Sequence, residues 1–124
     1  MKAISTDNAP AAIGPYSQAV QHGDLLFVSG QLPIDPATGN FNSDDAVEQM
    51  KQCLANIAAI AQAAGTDISK TVKTTILLTD LSGFAAINEV YGAAFSAPYP
   101  ARATFEVSAL PKGAKVEVEA VIAV

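Results

Sequence analysis

The chain has 124 residues and a net charge of −5, with 50% hydrophobic and 15% charged residues. This length suits one domain, residues 1–124, that folds on its own core without disulfides or a structural metal, and the acidic balance argues against non-specific nucleic-acid binding, which depends on basic side chains. So high an apolar share predicts that part of the apolar surface is buried between subunits.

The cysteine and histidine content limits the chemistry that the chain can perform. Cys53 and His22 are the only residues of their types, so we expect no metal centre and no nucleophilic triad. Cys53 is predicted to be a small core residue and His22 an exposed turn residue. A lone cysteine, together with the lack of an apolar signal or membrane segment, predicts a cytoplasmic protein.

The first half of the chain is predicted to hold a hairpin followed by a helix. Residues 4–21 contain Asn-Ala-Pro and Gly-Pro-Tyr and are interpreted as a loop or a short edge strand. Residues 18–21 and 25–29 flank a glycine-bearing turn, which predicts the hairpin. Asp45 precedes a run with apolar residues at helical spacing that closes at Gly65, and this pattern predicts the first helix.

The second half is predicted to be a strand, a helix and two further strands. Residues 72–79 alternate in polarity, and a helix is expected from 80–82 to Pro98, with the apolar stripe Phe84, Ile87, Tyr91 and Phe95. Residues 102–109 and 116–124 also alternate and are predicted to form an antiparallel hairpin. The order β-β-α-β-α-β-β indicates an α+β domain with both helices on one face of a mixed sheet. The other face would then pack against copies of the chain.

Arg102 is the only arginine beside six lysines, and its planar guanidinium suits a carboxylate. Two interpretations stay open: a structural ion pair with Glu106, Glu117 or Glu119, and an anionic ligand. Glu117 lies between two valines, a pattern that by itself favours a solvated strand position over a functional one. Ordinary structural roles are also open for the other polar candidates, Tyr16, Asn88 and Thr104.

Short motifs along the whole chain resemble those of the Rid family, the reactive intermediate deaminases, also called the YjgF or liver perchloric-acid-soluble protein family. The C-terminal signature is Ala101-Arg102-Ala103-Thr104-Phe105 followed by Val116-Glu117-Val118. Earlier landmarks include Asn8-Ala9-Pro10, Gly14-Pro15-Tyr16, Val28-Ser29-Gly30-Gln31 and Ala64-Gly65. No one of these motifs is specific, but their occurrence in the family's order is.

The resemblance implies a chorismate-mutase-like fold, assembled as a homotrimer with a central barrel of sheets and ligand clefts between subunits. It implies hydrolysis of 2-enamine and 2-imine acids, such as 2-aminoacrylate, 2-iminopropanoate and 2-iminobutanoate, to 2-keto acids and ammonia, with no cofactor and no metal. By motif position, Arg102 would hold the substrate carboxylate and Glu117 would position or activate water. The cleft would be lined by Tyr16, Ser29, Gly30, Asn88 and Thr104.

The chain departs from the family pattern in two places. Thr104 stands where many deaminating members have cysteine, and residues 92–100 form a shorter loop. Two other functions therefore stay open: a non-enzymatic binder of small keto or amino acids, and a ribonuclease or translation inhibitor. The acidic net charge counts against the ribonuclease.

Overall fold

The computed structural model describes residues 1–124. Six strands and two helices follow one another as β1 (Lys2–Ile4), β2 (Ala19–His22), β3 (Leu25–Gln31), α1 (Ala46–Ala63), β4 (Thr71–Leu78), α2 (Phe84–Ala93), β5 (Ala101–Glu106) and β6 (Val116–Ala123). Single 3-10 turns precede β4, α2 and β6. The predicted α+β class, with two helices and a mixed sheet, is confirmed. Residues 5–18 form the loop expected of the N-terminal segment, while the short edge strand β1 lies almost wholly before that segment.

The sheet has the strand order β1-β2-β3-β6-β4-β5, in which only β4 and β5 are parallel. The predicted hairpin between β2 and β3 is confirmed. The predicted hairpin between the last two strands is wrong, because β6 lies between β3 and β4 and pairs with both. Two parallel strands need a crossover connection, and α2 supplies it between β4 and β5. β5 therefore pairs with the free side of β4 at the edge of the sheet, and β4 separates it from β6.

The first helix begins and ends as the sequence predicts. The Asp45 carboxylate accepts a hydrogen bond from the Glu48 N–H at 3.0 Å, which satisfies one of the unpaired donors of the first turn. Gly65 follows the helix with φ +82°, a conformation that glycine adopts without steric cost.

The second helix is shorter than predicted at both ends. Residues 81–83 form a 3-10 turn capped by Asp80, whose carboxylate accepts a hydrogen bond from the Ser82 N–H at 2.9 Å. The α-helix then runs from Phe84 to Ala93 and ends before Pro98. Phe95 lies beyond the helix, although its ring still packs against Tyr91, with the ring centroids 4.8 Å apart.

The two faces of the sheet differ in what covers them. One hydrophobic cluster of 19 buried residues joins the helices to one face, and Cys53 is fully buried in it, as predicted. The other face carries apolar side chains that the chain leaves uncovered, including Phe27 at 47% exposure and Phe105 at 54%. The expectation of a bare sheet face is therefore confirmed, as is the exposure of His22. None of the helices combines the length and the apolar character that crossing a membrane requires.

Candidate functional site

Arg102 lies on the face of the sheet that the helices cover. Its register partner on β4 is Thr74, which is buried under α2, so the arginine points toward the same helix. Arg102 Nη1 donates a hydrogen bond to Asn88 Oδ1 at 2.6 Å. The guanidinium carbon lies 4.9 Å from the centre of the Tyr91 ring and 5.3 Å from that of Phe84. Both distances are within the range of cation–π attraction.

Arg102 has no carboxylate partner in the chain. The one ion pair is between Lys51 and Glu48, with 3.0 Å between nitrogen and oxygen. Glu106 Oε1 instead accepts a hydrogen bond from the Leu81 N–H at 3.0 Å. The hypothesis of a structural ion pair for Arg102 is therefore wrong within one subunit, and its remaining N–H groups are available to an anion.

Thr104 adds a polar group beside the arginine. It is two residues further along β5, on the same face of the strand, and its register partner is the fully buried Ile76. Thr104 Oγ1 is the one buried side-chain oxygen or nitrogen without a hydrogen-bond partner. A buried hydroxyl without a partner is costly, so a ligand that met it would regain that free energy. We call Arg102, Asn88 and Thr104 the arginine group.

Glu117 lies on the opposite, bare face of the sheet. Its register partner on β4 is Leu77, whose neighbours Ile76 and Leu78 point into the core. Partial burial raises the pKa of the Glu117 carboxyl above its ordinary value, and the negative charge of Glu119 raises this pKa further. The Glu117 carboxyl therefore keeps its proton to a higher pH than an ordinary glutamate does.

Gly30 provides the space that the Glu117 carboxylate occupies. Ser29 and Gly30 lie in a bulge of β3 opposite β6, where the register shifts between Val28 and Gln31. A Cβ on Gly30 would collide with Glu117 Oε2 and lie 3.0 Å from Glu117 Cδ. Glycine is therefore needed here for close approach and not for a positive φ.

A cleft of about 420 Å³ opens beside Glu117. It is bordered by Tyr16 from the loop before β2, by Gly30, and by Lys112 from the turn before β6. Tyr16 is 53% exposed, so its hydroxyl is accessible from the cleft. We call Tyr16, Gly30 and Glu117 the glutamate group. Ser29 does not border this cleft, and its hydroxyl donates a hydrogen bond to the Ser17 carbonyl at 2.6 Å.

The candidate residues thus fall into two groups that one subunit does not bring together. The β4 register places Arg102 and Thr104 on one face of the sheet and Glu117 on the other. A substrate that contacts Arg102 of one subunit is therefore out of reach of Glu117 of the same subunit. No cluster of three metal-ligating side chains accompanies either group.

Two features of the site were not found from the sequence. Phe84 and Tyr91 were interpreted only as members of an apolar helix stripe, although they flank Arg102. The Gln18 side chain holds the Tyr16 loop, because its amide pairs with the Thr6 N–H at 2.7 Å and with the Pro10 carbonyl at 2.8 Å. A buried glutamine between two loop segments is the only sequence signal that pointed to this role.

A mixed sheet with helices on one face and two separate groups of polar residues defines a small α+β protein whose second sheet face the chain itself leaves bare. Residues 6–124 match the family described as Endoribonuclease L-PSP. The chain belongs to this family, which is the Rid family of the sequence analysis.

Two relatives extend over almost the whole chain. The RutC family protein y4sK of Sinorhizobium fredii is 75% identical over 119 residues, which are 96% of this chain and 94% of that protein. The 2-iminobutanoate/2-iminopropanoate deaminase of Capra hircus is 52% identical over 118 residues, or 95% of this chain and 86% of that protein.

Solved structures have the same fold. RidA from the Antarctic bacterium Psychrobacter is 48% identical and superposes with a TM-score of 0.96, covering 100% of both chains. E. coli TdcF with bound serine is 41% identical, with a TM-score of 0.93, and the match covers 100% of this chain and 99% of that one. The predicted family is therefore confirmed.

Proposed function

We propose that this protein is an enamine/imine deaminase that hydrolyses 2-imino acids to 2-keto acids and ammonia. Relatives named 2-iminobutanoate/2-iminopropanoate deaminase are about half identical to this chain over most of its length. The observation that carries the proposal is Arg102, an accessible guanidinium held by the neutral Asn88 at 2.6 Å and paired with no carboxylate. Such a group is suited to the carboxylate of a 2-imino acid.

The chemistry requires little beyond position and proton transfer. A protonated imine beside a carboxylate is already electrophilic at C2, so water adds there and forms a carbinolamine. Glu117 accepts a proton from the attacking water and returns it to the nitrogen. As the C–N bond breaks and ammonia leaves, Glu117 takes the proton of the C2 hydroxyl, so the C2 oxygen becomes the keto group, and this second proton passes to ammonia. In sum, the iminium and one water give the 2-keto acid and ammonium. General acid–base assistance of this kind contributes about 10²–10⁴-fold.

The raised pKa of Glu117 supports this role. A carboxyl with an ordinary pKa is a weak base at neutral pH and an even weaker source of protons. Burial and the charge of Glu119 shift the pKa of Glu117 upward, which makes its carboxylate a stronger base than an ordinary glutamate. No metal or cofactor is required in this sequence of steps.

We propose that the active site forms between subunits of a homotrimer. The sheet separates the two groups within one chain, but Arg102 lies on the edge strand β5, from which the arginine group can reach the glutamate group on the bare face of a neighbouring subunit. The exposed Phe27 and Phe105 on that face are the apolar surface that assembly would cover. Light scattering at micromolar concentration should give the mass of three chains, whereas a monomer would contradict the interfacial site.

The first experiment measures turnover. A serine or threonine dehydratase generates the enamine in the cuvette, and keto acid release is followed with and without this protein. We expect acceleration by the wild type and nearly none by Arg102→Lys, because an ammonium keeps the charge but loses the bidentate geometry. A protein that binds pyruvate but gives no acceleration would be a non-enzymatic binder of keto acids.

Subunit mixing then tests where the site forms. Arg102→Lys and Glu117→Gln proteins are each expected to be inactive, but after joint refolding the intact arginine of one chain can meet the intact glutamate of another. Random assembly should restore about a quarter of the wild-type sites. Mixtures that stay as inactive as the separate variants would contradict the shared site.

The family description also names an endoribonuclease. The net charge of −5 and the single cation, Lys112, at the cleft beside Glu117 give little attraction for a phosphate backbone. RNA cleavage by the wild type that persists in Glu117→Gln and Arg102→Lys would show an activity outside the proposed site.

A further inference from the structure

The Tyr91 side chain lies directly against the guanidinium that the proposed function assigns to the substrate carboxylate. The centre of its ring is 4.9 Å from Arg102 Cζ, and the residue is 4% exposed. The ring is therefore shielded from solvent by the protein and presents one face to the arginine. Tyr91 itself has no free polar atom to offer a ligand, because its hydroxyl is already engaged.

The Tyr91 ring is fixed in place from two sides. Its hydroxyl and that of Thr74 share a buried hydrogen bond of 2.7 Å. Phe95 packs on the ring with its centroid 4.8 Å away at an interplanar angle of 48°. Thr74 is also the register partner of Arg102, so the bond ties the ring on α2 to the strand pair that carries the arginine.

Arg102 needs such support because of where it lies. β5 is an edge strand, and Arg102 is exposed, so a long side chain with several rotatable bonds would otherwise sample many orientations. Asn88 fixes only the Nη1 end, through one hydrogen bond. The aromatic ring packed on the guanidinium limits how far the guanidinium plane can tilt. Because all N–H groups of a guanidinium lie in its plane, this contact also limits the directions in which the unused N–H groups point.

We propose that Tyr91 is a positioning residue that sets the plane in which Arg102 presents its N–H groups to the substrate carboxylate. The inference rests on the proposed function for its activity readout, although the contact itself does not. Tyr91 touches Arg102 and not the reacting atoms. Its loss should therefore weaken substrate binding and leave the proton transfers at Glu117 unchanged.

The test compares variants that differ only in the ring. The variants are made in a Thr74→Val background, because replacing Tyr91 alone would leave the Thr74 hydroxyl buried without a partner. In this background Tyr91→Phe keeps the aromatic ring and Tyr91→Leu removes it. If the leucine variant does not fold, Tyr91→Met fills the space with a more adaptable side chain. Ile87→Val, a buried change on the same helix at a residue that makes no hydrogen bond or cation–π contact with Arg102, serves as the stability control.

The first readout is spectroscopic and does not require activity. Arg102 is the only arginine, so its Nε–H group gives a single cross-peak in a ¹H–¹⁵N spectrum. We expect this proton to be shifted by the aromatic ring current in the wild type and in the phenylalanine variant. In the leucine or methionine variant it should move toward the position of a free arginine peptide, and an unmoved peak would overturn the proposal.

The second readout is kinetic. We expect the leucine variant to raise KM for the imine about 10-fold with kcat nearly unchanged, which is the signature of lost binding common to ground and transition states. The phenylalanine and Ile87→Val proteins should stay within about 3-fold of wild type. Because Arg102→Lys has almost no turnover, the double variant is measured by pyruvate binding. The leucine change should weaken this binding in the arginine background and leave it unchanged in the lysine background, because an ammonium has no plane to orient.

The possible results separate the two proposals. An equal loss from Tyr91→Leu in the arginine and lysine backgrounds would reveal a general structural role and overturn the inference alone. A displaced Nε–H peak in a wild type that accelerates no imine hydrolysis would support the positioning of Arg102 and refute the deaminase.

Discussion

Gly30→Ala should remove activity with little effect on folding, because the added methyl group enters the space of the Glu117 carboxylate. The backbone of Gly30 does not have a positive φ, so alanine fits its conformation. The new Cβ would lie 3.0 Å from Glu117 Cδ and would collide with Oε2. Restoring an ordinary contact of about 3.5–4.0 Å requires Cδ to move by at least roughly 0.5–1 Å, and the closer Oε2 must move further.

The expected effects follow from that displacement. A misplacement of about 1 Å at a catalytic group can cost about 10²-fold in rate, so kcat should fall by about that factor. Stability should change by less than about 1 kcal/mol, because the lower entropy of the unfolded alanine chain offsets a strained glutamate rotamer. The melting temperature should therefore stay within about 4 °C of wild type.

The coupled dehydratase assay and thermal unfolding test this prediction together. Gly83→Ala is the matched control, because Gly83 has a φ of −94° and no heavy atom lies within 4 Å of its added Cβ. The control should keep wild-type turnover. Full activity of Gly30→Ala would refute the reasoning, since it would mean that the position of the Glu117 carboxylate does not limit the reaction.

Three further predictions concern single side chains. Burial raises the pKa of Glu117, so its contribution to stability is fully present below the ordinary value of 4.5 and is lost as the pH rises through the raised pKa of the folded state. Glu117→Gln should therefore melt at a higher temperature than wild type at neutral pH, and titration to about pH 4 should abolish the difference. Burial, with a further effect of the Glu117 charge, also raises the pKa of the Cys53 thiol, so it is not a nucleophile at neutral pH. Cys53→Ser should lower the free energy of unfolding by about 1–3 kcal/mol and leave turnover per folded molecule unchanged, and turnover lost without unfolding would assign chemistry to the thiol. Asp45→Ala should cost about 1 kcal/mol in denaturant unfolding through loss of the helix cap, and an equal cost for Asp44→Ala, which removes the same charge beside the cap, would show that charge alone is responsible.

Local patterns were sufficient to predict most of the elements. The alternation in β6 identified the core side chains, since Val116, Val118 and Ile122 are fully buried. The Asp45 cap and Gly65 marked the ends of α1, because these signals act through neighbouring residues only. The same logic failed for the last two strands, because strand order depends on the crossover through α2 and not on the segment that joins β5 to β6.

The candidate site shows a similar limit. Period-two spacing indicates which residues of one strand share a face, but it does not relate the faces of different strands. On β5 the apolar Phe105 points to the bare face and Arg102 points toward the helices, although a burial rule would favour the opposite arrangement. The family motifs named the residues, and only the β4 register revealed that Arg102 and Glu117 lie on opposite sides.

The central position of β6 also bears on how the chain folds during synthesis. β6 is the last strand to leave the ribosome, yet it joins β3 on one side and β4 on the other. Until it emerges, β3 and β4 lack the strand that lies between them, so the inner edges of the partial sheets β1–β3 and β4–β5 are unpaired. Folding must therefore wait for translation of residues 116–123, which makes the growing chain a natural client for chaperones that shield strand edges.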